Sequence, residues 1–374
     1  MSLAGPLRVL VVNEGVLGHT SALNQLTGRL AARSDFEVTL ATVPPAGRVW
    51  GRLLARWQRL GDADLHLLRW RLRWSWEARR LLAAHRGRVD AAVVHTQACG
   101  SLSAGLMREL PCVLSVDATV RQYMELGYYR SHDRFTPRVT DMVAALETRA
   151  LRAAAGAMPW TNWNRDGLVK EHGLDPARVR VIHPGVGAAW WAQPRDLRPV
   201  GDPLRILFVG NDVDRKGLGL LRDAAGRLDG ASIDVVTGDE VVPAGEGLRV
   251  HRGITPRSEE LRRMYNDADV FALPTYADAV PNVVVEAMAA GLPVVATDVG
   301  AVREMVGDAG VVVPRGDVDA LAAALAALHS DPARRVALGE RARERVRRHY
   351  ESTTQAGLLA QWLSGLVRAR AAGC

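Results

Sequence analysis

A six-residue run near the start, residues 7–12 (LRVLVV), breaks into Asn13-Glu14-Gly15 and passes into a helical pattern over about residues 21–32. A run this short, rich in Val and Leu and closed by a turn, fits a strand covered on both faces. Strand, loop and amphipathic helix form the repeating unit of a parallel α/β sheet, because parallel neighbours need a crossover connection. The unit recurs, with strands expected at 37–42, 89–95, 111–117 and 179–182 and helices at 140–155 and 165–171. Residues 195–203 (RDLRPVGDP) are polar, carry two prolines and lack periodicity, so they read as a linker. A second set then opens with a strand at 204–209 and continues at 233–237, 270–273, 294–296 and 311–313. An alanine-rich helix follows at 318–328 and a tail helix at about 352–370. At 374 residues the chain exceeds what one core usually serves. Two Rossmann-like domains are expected, 1–198 and 199–351, with 352–374 as a C-terminal helix.

With 48% hydrophobic and 24% charged residues, the chain has the composition of a globular protein. It contains no run of 18 apolar residues, so no membrane-spanning helix is expected. The start runs directly into a strand rather than a leader, and Cys99, Cys112 and Cys374 show no paired spacing. A reducing cytoplasmic setting is the expectation. The net charge of +7 has one main source: residues 47–88 hold eleven arginines against Asp62, Asp64 and Glu77. Five of the ten tryptophans (50, 57, 70, 74 and 76) are interleaved with them. Such a segment can form a helical pair with tryptophans inward and arginines in water. It can also dock peripherally on an anionic membrane at its inner face, or line an acceptor site. Nucleic acid is not expected as a partner.

The chemistry concentrates in two places. Residues 278–305 read DAVPNVVVEAMAAGLPVVATDVGAVREM, with Asp278 and Glu286 eight positions apart across a loop and the start of a helix over 282–290. Gly291 and Pro293 stop that helix. Its first turn offers unpaired N–H groups and the positive dipole end, which suit a phosphate, while the carboxylates can hold sugar or ribose hydroxyls. Taken alone, the two acids also read as a glycosidase-like acid and base. The second place is residues 208–218, FVGNDVDRKGL, where Gly210, Arg215 and Lys216 follow a buried strand. Fixed cations there stabilise a leaving diphosphate as its charge grows. In the first half, Gly15 and Gly18 lie three apart and do not form the dinucleotide fingerprint. His95 and Asp117 end strands at the carboxyl side, where ligands of α/β sheets bind.

Residues 278–305 resemble the donor-site signature of the family 4 retaining glycosyltransferases, in which an acid, seven residues and a Glu lead into a helix of the EAMAxGxPVVAT kind. Residues 208–217 resemble that family's diphosphate loop, Gly15 to Gly18 its glycine loop near the reacting sugar, and 181–187 (VIHPGVG) its VIPPGVD turn. The resemblance is dense over 179–313 and sparse before it. It implies a GT-B fold, two Rossmann-like domains facing a cleft, with a C-terminal helix crossing back to the first domain. It further implies retaining transfer of a sugar from a UDP- or GDP-sugar, a co-substrate, with no cofactor and no metal. Glu286 would hold ribose hydroxyls and Lys216 and Arg215 the diphosphate, while Asp278 and the backbone of Ala279, Val280, Pro281 and Asn282 would hold the sugar. Gly15, Gly18 and Gly210 complete the donor side. Asp278, Lys216, Arg215 and Asp117 are the candidate catalytic residues, and His19, His95 and Asp117 the candidates on the acceptor side. Asp278 stands where the family has Glu, Asn211 where it often has Arg, Asp117 near where many relatives have His, and Gly187 where it has an acid. Asp212 and Asp214 read as turn residues because Arg215 and Lys216 follow them at once. A GT-B-shaped epimerase or phosphorylase, or a noncatalytic nucleotide-sugar-binding protein, would share these motifs. The acceptor, whether lipid-linked, a polysaccharide or a small natural product, is not written in them.

Overall fold

The computed structural model describes residues 5–15, 17–44, 66–127, 136–192, 202–242, 245 and 247–372. They form two units, one of Met1–Pro184 with Thr353–Cys374 and one of Gly185–Ser352.

In the first unit, β1 (Leu7–Asn13), β2 (Phe36–Thr42), β3 (Ala91–His95), β4 (Cys112–Val116) and β5 (Gly156–Pro159) make a parallel sheet of order β2-β1-β3-β4-β5. Side chains alternate across it as the period of two requires. Val9 and Val11 pack against Leu23, Leu26 and Leu30 of the helix Leu17–Ala31 and against Leu359, Trp362 and Leu363 of the C-terminal helix Ser352–Ala371. Leu10 and Val12 face the opposite core, with Ala78 and Leu82 of the helix His66–Ala84 and Ala150 and Leu151 of the helix Thr136–Ala153. Gly156 admits Trp362 to the end of β5, since a Cβ there would come within 2.8 Å of the Arg178 carbonyl and closer still to the indole.

The segment 179–182, expected as a strand, is instead an extended stretch along the outer edge of β5. It is joined by one bridge, Ala157↔Val179, and by N–H groups of Arg180 and Ile182 on the Ala157 and Pro159 carbonyls, each at 3.0 Å. The fifth strand proper is Gly156–Pro159, whose GAMP sequence gives no strand signal.

The arginine-rich segment also departs from expectation in its described part. Arg69, Arg71 and Arg73 are buried on the helix His66–Ala84, while Trp76 is half exposed. The reason is a buried partner: the Arg71 guanidinium lies 2.8 Å from the Glu147 carboxylate, which also accepts from Val120 N–H at 3.1 Å and Gln97 Nε2 at 3.2 Å. Burial alone would raise Glu147, but Arg71 and His172 outweigh it and hold its pKa below the ordinary value. Arg48, Arg52, Arg56, Arg59, Trp50 and Trp57 lie outside the described residues.

The second unit holds β6 (Arg205–Val209), β7 (Ser232–Val236), β8 (Leu248–His251), β9 (Val270–Leu273), β10 (Val294–Thr297) and β11 (Gly310–Val313), parallel in the order β11-β10-β9-β6-β7-β8. From β6 the chain builds outward to β8, then returns to pair β9 on the other side of β6. Strand order reverses between β6 and β9, and in open α/β sheets that switch point is where ligands bind, beyond the carboxyl ends of the strands. The unit begins at Gly185, ahead of the expected linker, most of which lies outside the described residues. The short helix Ala188–Trp191 accounts for this, because Trp191 is fully buried edge-on to Tyr265, with ring centroids 5.0 Å apart.

Candidate donor site

The loop after β6 is built around its glycines and its lysine. Gly210 donates to the Val236 carbonyl at 3.0 Å, and Asn211 Oδ1 accepts from Gly238 N–H at 2.7 Å. Asn211, standing where relatives often carry a cation, therefore braces this loop to the one after β7. Asp212 takes a left-handed φ of 59°, tolerated by Asp, and its carbonyl accepts the Lys216 N–H at 2.9 Å. Gly217, at φ 80°, lies so close to the Pro274 carbonyl that no side chain fits. The lysine stem passes over Gly210, where an added Cβ would meet Lys216 Cγ at 3.3 Å.

Two side chains of this loop reach the loop after β9. The Lys216 ammonium pairs with the Asp278 carboxylate, the two side chains being 13% and 14% exposed. Arg215 lies between loops: its Nε donates to Asp212 and its Nη1 to the Ala277 carbonyl, each at 2.6 Å, and its own carbonyl accepts Tyr276 N–H at 2.8 Å. Lys216, Arg215 and Asp278 thus converge at the β6/β9 switch point.

The helix Asn282–Ala290 starts immediately beyond, and no side chain caps its first turn. Gly300 fixes the approach, at φ 53°, by packing on the Asp278 and Ala279 carbonyls, and Ala301 N–H donates to Ala279 O at 2.9 Å. Ala279 and Val280 are buried by this packing. Glu286 lies one turn into the helix, only 9% exposed, and Tyr265 O–H donates to its Oε2 at 3.3 Å. Burial pushes Glu286 up from 4.5 to about 7, against the Tyr265 hydrogen bond and the positive field of Arg257. Burial and Glu286 raise Tyr265 in turn, so the phenol keeps the proton it donates.

In the first unit, Gly15 turns at φ 83° between β1 and its helix, its N–H on Asn13 Oδ1 at 3.0 Å. Gly18 falls within the helix Leu17–Ala31, and the His19 side chain lies outside the described residues. His95 is fully buried, stacked on Trp160 with centroids 5.1 Å apart, its Nδ1 3.0 Å from Ser115 Oγ and its Nε2 3.8 Å from Glu14 Oε1. Nearby His183 is held neutral, because burial lowers it to about 3. Asp117 is buried too: Tyr123 O–H donates to its carboxylate and Asn164 Nδ2 to its carbonyl. Of the residues read from sequence, Gly210, Arg215, Lys216, Asp278 to Asn282 and Glu286 come together in the second unit, whereas His95 and Asp117 form part of the first unit's interior. Sequence reading missed Tyr265, Arg257 and Glu14; Glu14 alone had a local signal, its place directly ahead of Gly15.

Two parallel Rossmann-like sheets, the second with cations and an acid-bearing helix start at its switch point, define the GT-B class of glycosyltransferase folds. Solved structures agree. Sucrose-phosphate synthase from Thermosynechococcus elongatus superposes with a TM-score of 0.78 at 19% identity, covering 97% of this chain and 100% of that one. Anabaena HepE in complex with UDP and glucose superposes with a TM-score of 0.66 at 15% identity, covering 96% and 99%. Residues 18–189 match the family model described as Glycosyltransferase Family 4, and residues 203–331 match that of Glycosyl transferases group 1. The chain belongs to the family 4, group 1 glycosyltransferases. Among curated relatives, the D-inositol 3-phosphate glycosyltransferase of Kribbella flavida is 32% identical over 248 residues, 57% of this chain and 58% of that protein. The protein of the same name from Mycobacteroides abscessus is 34% identical over 175 residues, 40% and 38% respectively. The chain thus aligns over roughly half the length of these relatives.

Proposed function

We propose that this protein transfers a glycosyl group from a nucleotide-diphosphate sugar, a UDP- or GDP-sugar, to an acceptor hydroxyl with retention of anomeric configuration. The observation that carries this is the convergence of Lys216, Arg215, Asp278 and the Asn282–Ala290 helix start at the β6/β9 switch point, with Glu286 one turn further in. In this scheme Glu286 accepts hydrogen bonds from the ribose hydroxyls. Lys216 and Arg215 meet the diphosphate, and Asp278 and the 279–282 backbone orient the sugar. Charge grows on the departing diphosphate as the glycosidic bond breaks, and cations fixed in place stabilise that state most. The leaving phosphate takes the acceptor proton on the same face, so no protein nucleophile is required. The scheme also needs no metal, and the Asp212 carboxylate is already engaged by Arg215.

The curated relatives' names add D-inositol 3-phosphate, a phosphorylated polyol, to the acceptors worth testing beside lipid-linked, polysaccharide and small-molecule ones. Among the described residues of the segment, peripheral binding to an anionic membrane would fall to the exposed Trp76, Arg79, Arg80, Arg86 and Arg88, since Arg69, Arg71 and Arg73 are buried. The reading is tested by incubating UDP- and GDP-sugars with an acceptor panel and following transfer and product anomer. Lys216→Ala and Glu286→Ala are each expected to lose at least about 100-fold in turnover, the scale of one transition-state contact. Near-normal rates in either variant would overturn the assignment, and epimerised donor without acceptor would move the chain to another reaction class.

A further inference from the structure

We propose that the Lys216–Asp278 ion pair makes this site selective for an intact nucleotide sugar over the free nucleoside diphosphate: the donor's diphosphate displaces Asp278 from Lys216, and the sugar's hydroxyls take up the carboxylate so released. This rests on the donor reading of the site given above.

Both cations that would meet the diphosphate are already paired with carboxylates of this chain, Lys216 with Asp278 and Arg215 Nε with Asp212 at 2.6 Å. A bound diphosphate has to take their place. The two carboxylates differ in what receives them afterwards. The Asp212 side chain is 57% exposed, so water solvates it at once. The Asp278 side chain is 14% exposed, and a shielded ion that loses its partner carries an unmet desolvation cost until another donor reaches it.

Both members of the shielded pair are held in place. The lysine stem lies over Gly210, where an added Cβ would meet Lys216 Cγ at 3.3 Å and Cδ and Cε at 3.6 Å. The Asp278 backbone carbonyl packs on Gly300, and the neighbouring Ala277 carbonyl accepts from Thr275 Oγ1 at 3.2 Å and from Arg215 Nη1 at 2.6 Å. The anion therefore has to come to the ammonium, and the displaced carboxylate, on its single methylene, stays within the site.

A carboxylate accepts hydrogen bonds and donates none, so hydroxyls suit it and a phosphate does not. A nucleotide sugar brings hydroxyl donors together with its diphosphate. Free UDP brings none there, and its terminal phosphate, fully ionised well above a second pKa of about 6, sets an extra negative charge beside Asp278. The same carboxylate thus favours the donor on entry and disfavours the diphosphate left after transfer.

The experiment is calorimetric titration of the full chain with UDP and UDP-glucose, and with GDP and GDP-mannose, at about pH 8 and fixed salt. Wild type should favour the sugar nucleotide of whichever pair it binds. Asp278→Asn, which keeps the size and removes the charge, should bind the free diphosphate about tenfold more tightly, the scale of one charge-assisted hydrogen bond, with no matching gain for the sugar nucleotide. Asp278→Ser should behave alike and serves where the Asn variant does not fold, while Asp212→Asn should leave the preference as in wild type. A free-diphosphate affinity that is unchanged or weaker in folded Asp278 variants, or an equal gain for both ligands, would overturn the proposal and leave the donor site standing. Failure of wild type to bind any of the four ligands would instead remove the donor reading beneath it.

Discussion

Replacing Glu286 by Gln should stabilise the second unit while disabling it. The folded carboxyl, buried beneath Tyr265, is raised from 4.5 to about 7. At roughly 1.4 kcal/mol for each pH unit, the difference corresponds to about 3 kcal/mol. The sign follows from linkage. The folded protein holds this proton more tightly than the unfolded chain, so stability falls as pH rises from about 4.5 to about 7 and stays lower beyond. Gln keeps an acceptor for the Tyr265 hydroxyl and removes the charge. The variant should therefore match wild type near the acid end of the window and gain steadily to about 3 kcal/mol by pH 8, or roughly 6 to 12 °C in melting temperature for a unit of this size. Thermal melts of both proteins at closely spaced pH values read this directly. A difference that is constant with pH, or largest in acid, would refute the claim that a buried, ionisable Glu286 is held at a cost. Stability gained with donor binding lost is the pattern expected of a residue kept for function.

Three further outcomes test the framework. Trp191→Ala removes a fully buried indole from the Trp190–Trp191–Tyr265 stack and should cost about 3 to 5 kcal/mol in urea unfolding. Glu147→Ala strands the buried Arg71 and should cost about 3 to 5 kcal/mol, whereas Arg71→Met combined with Glu147→Leu should recover only part of that loss, because Val120 N–H and Gln97 Nε2 still lose the carboxylate they donate to. In sedimentation with anionic vesicles, Trp76→Ser with Arg80→Ser should weaken any binding, while Arg71→Met should leave it unchanged if folded, because Arg71 faces Glu147.

The candidate donor side was legible because its parts are local in sequence. Asp278 and Glu286 sit on one loop-helix segment and Lys216 follows Gly210 by six positions, so apolar runs, glycines and charges declare the strand, the turn and the ligand end together. What escaped reading depends on distant partners. Arg71 turns inward because of Glu147, 76 positions away, and nothing near Arg71 announces it. Tyr265 and Arg257 act on Glu286 only once the fold brings their elements beside its helix. β5 and β8 are four residues each, with Pro or half-exposed polar residues, too short to show a period. His95 and Asp117, at strand ends that suggest a ligand site, turn out to be held in the first unit by Ser115, Trp160, Tyr123 and Asn164.

The most direct test of the central claim, that the β6/β9 switch point receives the donor through Lys216, is the affinity of UDP-glucose and GDP-mannose for wild type and Lys216→Ala at fixed pH and salt. The account predicts saturable binding of at least one nucleotide sugar by wild type and a loss of at least about tenfold in the variant, the scale of one charge-assisted contact. Equal affinity in a folded Lys216→Ala protein, or no binding of either donor to wild type, would contradict it.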